Sequence, residues 1–295
     1  MAPEGDADTS SQAAKLWSLF GSVEAEALIN ALRRWQSSFG VGRNTSSSCK
    51  TTVDDPYVRL ILDRCLPYEV ESQLCKEPLD KLMQNVIAVR TQVIDEKLIE
   101  WCKADNTKQV VILASGFDTR AWRLRWPPEV SLFEVDTAMI MNTKFTALGD
   151  IQPNCHRLAL IGDVFNMPQV FRSLHALGFD SSKPSIWLLE DVVEYMLPEL
   201  ASEMFESIAQ CVGRASRLIC TLSDTRLRDL LKRFGHSTHL VEDYEPAGIV
   251  LNRINCAGWR CDMLLSGELE SKFDVDLHNC LYIVHGKVKK GFQQL

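Results

Sequence analysis

Four short apolar runs constrain this chain more than any other feature: QVVIL at 109–113, SLFEV at 131–135, SIWLL at 185–189 and SRLICTL at 216–222. Each is rich in β-branched or large apolar residues, and helix-like stretches separate them. Strands that alternate with helices pair in parallel through crossovers, so the expected core is a doubly wound, mostly parallel α/β sheet covered on both faces. Two later strand-like runs, GWRCDMLL and NCLYIVHGKV, are joined by SGELESKFDVDLH, which leaves little room for a full crossover helix. They predict an antiparallel pair at one sheet edge.

The region before the first run has a different period. Leu16, Leu19, Phe20, Val23, Ala27, Leu28, Ala31, Leu32 and Trp35 recur at three- and four-residue steps, which describes an amphipathic helix. The Gly/Ser/Thr-rich stretch FGVGRNTSSSCKTT reads as a loop, and a second helical region starts near Asp55. Leu82, Val86, Val89, Val93 and Leu98 mark a further helix that stops at KADNTK. The expected division is a polar, disordered start over 1–12, a helical N-terminal extension over 13–104 that serves as a lid, and a catalytic core over 105–295.

Charge and cysteine usage exclude several partner classes. The 32 Lys and Arg against 39 Asp and Glu give a net charge of −7, which disfavours a nucleic-acid backbone as partner. Lys287 to Lys290 read as a solvated strand end. The ten cysteines are scattered, without a CxxC pair or a Cys/His ligand spacing, and are expected as reduced thiols with no metal among them. MAPEGDADTSSQ lacks the basic start and apolar stretch of a signal peptide, and no run approaches a membrane span. A soluble, cytoplasmic protein is expected.

In a doubly wound sheet, ligands gather at the carboxyl ends of the strands near the point where strand order reverses. The first run leads into LASGFDTR, where Gly116 permits a close backbone turn; the GxGxxG dinucleotide fingerprint is absent, which argues against a dehydrogenase. FEVD then places Glu134 and Asp136 about twenty residues past Gly116, where an acid accepts hydrogen bonds from ribose hydroxyls. IGDV supplies Asp163, an acceptor suited to an adenine amino group, and WLLEDVVEYM supplies Glu190 and Asp191, suited to an ammonium. Together these acid-bearing strand ends point to a nucleoside cofactor with an amino-acid moiety.

At this point VVILASGFDTRAWRL, SLFEVD and WLLEDVVEYM followed by LPE resemble, in order, the leucine carboxyl methyltransferase family and its bacterial small-molecule relatives. VRTQVID (Val89 to Asp95) is similar to the family's Arg-Thr-x-x-Ile-Asp helix, and CK followed by DDPY (Asp54 to Tyr57) to its lid motif. The resemblance implies a seven-stranded Rossmann-like methyltransferase sheet and S-adenosyl-L-methionine as cofactor. It assigns Arg90 to the carboxylate of the cofactor's methionine part, with Lys50 reaching the same region from the lid. Gly116 would border the cofactor, Asp136 hold the ribose, Asp163 and Val164 flank the adenine, and Glu190 face the amino-acid end. Tyr57 and Tyr195 would line the acceptor pocket. Acceptor choice is expected in an insertion at about 224–258.

One departure stands out: the family's Gly-x-Gly turn is Ala114-Ser115-Gly116 here. Methyl transfer from a sulfonium needs alignment in a dry site, with no metal and, for a carboxylate acceptor, no base. His156, His175, His236, His239, His278 and His285 show no diagnostic spacing, and none is assigned a catalytic role. The expected activity is O-methylation of a small molecule on a carboxylate or hydroxyl, to which DTRAWRLRWP inclines. Two alternatives are carried beside it: methylation of the C-terminal leucine of a phosphatase catalytic subunit, and a catalytically silent binding protein of the same fold.

Overall fold

A computed structural model describes residues 22–40, 53–66, 71, 78–223, 225–233 and 245–289. Lys50, the polar start and, within the 224–258 segment, residues 224 and 234–244 lie outside them.

The helical N-terminal part comprises α1 (Ser22–Gly40), α2 (Pro56–Cys65) and α3 (Pro78–Ala104). Pro56 opens α2, and Asp55 caps it by accepting the Val58 N–H at 3.2 Å. The apolar stripe on α3 predicted from Leu82 to Leu98 is buried, and the helix gives way at Asn106, whose φ of 50° breaks the helical geometry.

The core follows as β1 (Gln109–Leu113), α4 (Arg120–Arg123), β2 (Ser131–Asp136), α5 (Ala138–Leu148), β3 (His156–Ile161), α6 (Met167–Ala176), β4 (Ser185–Leu189), a 3-10 turn (Val193–Tyr195), α7 (Pro198–Cys211), β5 (Arg217–Ser223), α8 (Thr225–Arg233), α9 (Ala247–Cys256), β6 (Trp259–Leu264), α10 (Ser266–Phe273) and β7 (Leu281–Val288). The strands form one sheet in the order β3-β2-β1-β4-β5-β7-β6. Neighbours from β3 to β5 pair in parallel, whereas β7 runs antiparallel to both β5 and β6. The antiparallel strand therefore lies one position in from the edge, and β6 is outermost. The β6–β7 connection holds the two-turn helix α10, because antiparallel neighbours need no crossover to the far side.

Alternate residues of the strands feed two cores, as a period of two requires. Val110, Ile112, Ile186, Leu188 and Ile219 pack with the N-terminal helices, while Val111, Leu113, Trp187, Leu189 and Leu218 pack with α6, α7 and α9. Trp101, Trp122, Trp126, Trp187 and Trp259 are all core residues. Trp122, Trp126 and Trp259 donate their indole N–H to backbone carbonyls and Trp187 donates to Ser185 Oγ, which removes the cost of burying that group. The run Met139 to Met141 is only partly packing: Ile140 and Met141 are buried and Met139 is exposed. No disulfide joins the described cysteines, and no described helix is long and apolar enough to cross a membrane.

Candidate cofactor and methyl-transfer site

Strand order reverses between β1 and β4, since β2 and β3 lie to one side of β1 and β4 to the other. The crevice beyond their carboxyl ends is the place where such a sheet binds ligands. Three backbone positions there are left-handed: Ala114 (φ 49°), Gly116 (φ 48°) and Asp191 (φ 54°). At the non-glycine positions Ala114 and Asp191 such backbone is strained and persists only when its surroundings hold it. Asp191 is held by its own N–H, which donates to Thr221 Oγ1 at 2.9 Å.

Asp136 ends β2 at the crevice. Its two oxygens accept the N–H groups of Gly116 at 2.6 Å and Thr137 at 2.7 Å, which ties the turn after β1 to the end of β2. Burial pushes its pKa up, and those two N–H groups pull against that. Its remaining lone pairs suit donors such as vicinal ribose hydroxyls. Glu134, also acidic and two residues earlier, has a different task. It is fully buried and bridges Lys144 at 2.8 Å and Arg157 at 2.7 Å, so it is part of the core.

Arg90, buried on α3, reaches the end of β4, where its guanidinium pairs with Asp191 at 2.5 Å and lies 2.8 Å from Glu190. The approach to Glu190 is an ion pair without hydrogen-bond alignment, because Nε finds no hydrogen-bond acceptor. Burial works against the charge on Arg90, but Asp191 and Glu190 outweigh it and hold its pKa above the ordinary arginine value. Glu190 also accepts from Arg120 at 2.7 Å. Burial disfavours its charge, yet Arg120 and Arg90 together keep its pKa below the usual range.

Beneath this lies an ionic network that sequence reasoning missed. Arg120 pairs with Asp95 at 2.7 Å and with Asp118, and Arg123 also pairs with Asp95. Burial alone would raise the pKa of Asp118, but Arg120 more than offsets it and leaves the group at about 2. Asp55 joins the lid to the core: it accepts from Arg34 at 2.8 Å and from Thr119 at 2.6 Å while capping α2. The spacing of Asp118 and Arg120 in FDTR was the available signal, although the partners on α1 and α3 are distant in sequence.

Helix α1 lies across the crevice. Ala27 Cβ sits 3.6 Å from the position a Gly116 side chain would occupy, Asn30 donates to Asp191 at 3.4 Å, and Arg34 donates to the Phe117 carbonyl at 2.6 Å. Asp163 is exposed beyond β3, with one oxygen taking the Phe165 N–H at 2.9 Å, and Val164 beside it is half-buried. Tyr195 is half-buried on the 3-10 turn, and Tyr57 packs against the core of the helical layer. No hydrogen bond or ion pair links Tyr57 to the Arg90 cluster among the described residues.

The residues present fit a cofactor of the kind expected from sequence. Ser115 is buried within the turn, its hydroxyl without a hydrogen-bond partner, and an orphaned donor of this sort needs a ligand or water to satisfy it. Gly116 brings backbone close to the crevice, Asp136 and Asp163 line one end, and Arg90 with the acids of β4 forms the other.

Comparison with known proteins agrees. The family description "Leucine carboxyl methyltransferase" fits residues 43–209. A Mycobacterium tuberculosis protein, named by inference as an S-adenosyl-L-methionine-dependent methyltransferase, is 38% identical over 283 residues, covering 88% of each chain. A similarly named protein of Mycolicibacterium smegmatis is 34% identical over 187 residues, 59% of this chain and 61% of its own. Among solved structures, a DUF574 family protein from Streptomyces avermitilis matches with a TM-score of 0.57 at 11% identity, covering 87% of this chain and 96% of its own. A Thermobifida fusca protein solved as a suspected methyltransferase also gives 0.57, at 14% identity, covering 79% of this chain and 93% of its own. At these identities the structures speak for the fold, while the family description covers more than half of the chain: the protein belongs to the leucine carboxyl methyltransferase family.

Proposed function

We propose that this S-adenosylmethionine-dependent methyltransferase acts on an oxygen of a small molecule. The family membership carries the methyltransferase chemistry and the cofactor. The observation that favours a small acceptor is the position of α1, which covers this part of the crevice through Ala27 beside Gly116, Asn30 on Asp191 and Arg34 on the Phe117 carbonyl.

In this reading the cofactor supplies a methyl group activated on a sulfonium. Asp136 holds the ribose, Gly116 and Ser115 border the methionine part, and Asp163 with Val164 flanks the adenine. Arg90 takes the methionine carboxylate, for which a guanidinium is geometrically suited, and Glu190 takes the ammonium. To do so Arg90 exchanges part of its contact with Asp191 for the ligand, so its charge remains compensated throughout. Lys50 belongs to the same proposal from outside the described residues. Tyr195 stands next to this end and would line the acceptor pocket with Tyr57.

Calorimetric titration with S-adenosylmethionine and S-adenosylhomocysteine tests the site. Saturable binding by the wild-type protein, weakened at least about tenfold in Asp136→Ala and Arg90→Ala through loss of charged hydrogen bonds, is expected. Absence of binding by folded wild-type protein would overturn the reading. Methyl-labelled cofactor then separates the acceptors: label in an organic extract is expected, whereas base-labile label on a protein C-terminus would favour the phosphatase-type reaction.

A further inference from the structure

Glu194 is an acid that neither the cofactor site nor the core explains. It sits on the 3-10 turn after β4 and is only 3% exposed. One oxygen accepts the Ser223 N–H, at the carboxyl end of β5, at 2.9 Å. The other, Oε2, is buried and makes no hydrogen bond of good geometry, although the Ser223 hydroxyl lies close enough to the carboxyl to favour its charged form. In the arrangement proposed above the adenine would lie at the ends of β3 and β2 and the methionine part at those of β1 and β4, so the end of β5 is the next position past the methionine part. In that arrangement an acceptor would meet the methyl group from this side.

We propose that Glu194 is the base that takes the proton from a neutral hydroxyl acceptor. The inference rests on the methyl transfer proposed above and narrows its acceptor to a hydroxyl. The charged groups around Glu194 favour this choice. Among the described residues Arg90 on α3 is a nearby cation, and it already faces Glu190 and Asp191. Tyr195 stands on the same turn and Asp191 just ahead of it, Glu26 on α1 lies near Tyr195, and Cys220 on β5 lies close by. A carboxylate acceptor would add another negative group to Glu190, Asp191 and Glu194, whereas a hydroxyl adds none.

Burial, reinforced by Asp191, pushes the Glu194 carboxyl up to about 7, where a base is best matched to neutral pH. In the transfer, a hydroxyl oxygen lone pair forms the new C–O bond and the C–S bond breaks, its electron pair staying on sulfur as a neutral thioether. The hydroxyl proton passes to Glu194 Oε2 and later to solvent. A sulfonium beside these acids favours the ionised carboxylate before transfer, and its loss favours the protonated form afterwards. The affinity of Glu194 for a proton thus rises as the acceptor must lose one.

Carboxyl-labelled glutamate NMR tests this without an acceptor in hand. A resonance that titrates near neutral pH, is absent from Glu194→Gln, and titrates at lower pH with S-adenosylmethionine than with S-adenosylhomocysteine is expected. A Glu194 that shows no titration between pH 6 and 8, or the same midpoint with both ligands, would overturn the proposal. If neither ligand binds, the cofactor reading fails first. Transfer of labelled methyl to matched phenols, benzyl alcohols and benzoic acids gives the second readout. Base-stable label on hydroxyls, rising with pH through about 7 and falling roughly 10²–10⁴-fold in Glu194→Gln, supports the base. Base-labile esters alone, or an unchanged pH profile in the variant, count against it. Glu194→Gln keeps an oxygen for the Ser223 N–H, so loss of fold is not the expected cause of any defect.

Discussion

At the scale of single residues, the turn after β1 holds an alanine in a conformation that has a measurable consequence. Ala114 has φ 49°, in the left-handed region that costs a side chain roughly 1–2 kcal/mol. Glycine adopts it freely but loses more freedom on folding, by about 0.5–1 kcal/mol. Ala114→Gly is therefore expected to raise stability by up to about 1 kcal/mol, read as a higher urea midpoint at unchanged slope. A lower midpoint would mean that the alanine methyl makes contacts worth more than the strain. The sequence exposed Ala114 but not its geometry, because nothing in ASGFDTR distinguishes left-handed from extended backbone at that position. Asp136, Asp163 and Glu190 were legible for a different reason: acids at strand ends are marked by the strands themselves. Glu194 was not, since an acid inside EDVVEYM reads as surface until Ser223 is seen to bond to it.

At the scale of elements, the lid is bound to the core by charge as much as by apolar packing. Asp55 caps α2, meets Arg34 from α1 and accepts from Thr119 ahead of α4, all while fully buried. Asp55→Ala leaves a guanidinium, a hydroxyl and a helix end unsatisfied together. A loss of about 3–5 kcal/mol is expected from breaking such a buried pair, measured by chemical denaturation. Asp55→Asn keeps an acceptor oxygen for the cap and is expected to cost less. Equal effects of the two would show that the charge, and not the cap, carries the stabilisation. The elements were readable from sequence wherever period decided them: α3, β1, β2, β4 and β5 fall where the apolar spacing puts them, whereas the half-exposed β3 has no such run. The helix α10 was not, because ELESKF is short and mostly polar and takes its shape from the Glu268 bond to the Leu265 N–H and from burial of Leu269 and Phe273. The placement of β7 inside β6 was equally hidden, since strand order depends on pairing that no local pattern encodes.

For the whole molecule, two buried acids pull the pH dependence of stability in opposite directions. The Asp118 carboxyl lies at about 2 against an ordinary 3.8, so it contributes stability above 3.8 that is lost as pH falls through 2. Glu194, at about 7 against an ordinary 4.5, acts the other way. Below 4.5 it is protonated in both folded and unfolded chains and contributes nothing. Between 4.5 and 7 the unfolded chain releases the proton while the folded chain retains it, so the unfolded state binds fewer protons and stability falls with rising pH. Above 7 both are ionised and the loss levels off, at about 3 kcal/mol for a shift of this size. Glu194→Gln does not titrate. The difference in unfolding free energy between variant and wild type is thus expected to grow in the variant's favour from pH 4.5 to 7 and then to plateau. Urea denaturation across that range reads the difference directly. A difference independent of pH would mean that Glu194 ionises in the folded chain as it does in the unfolded one, leaving no proton at neutral pH for the site to exchange.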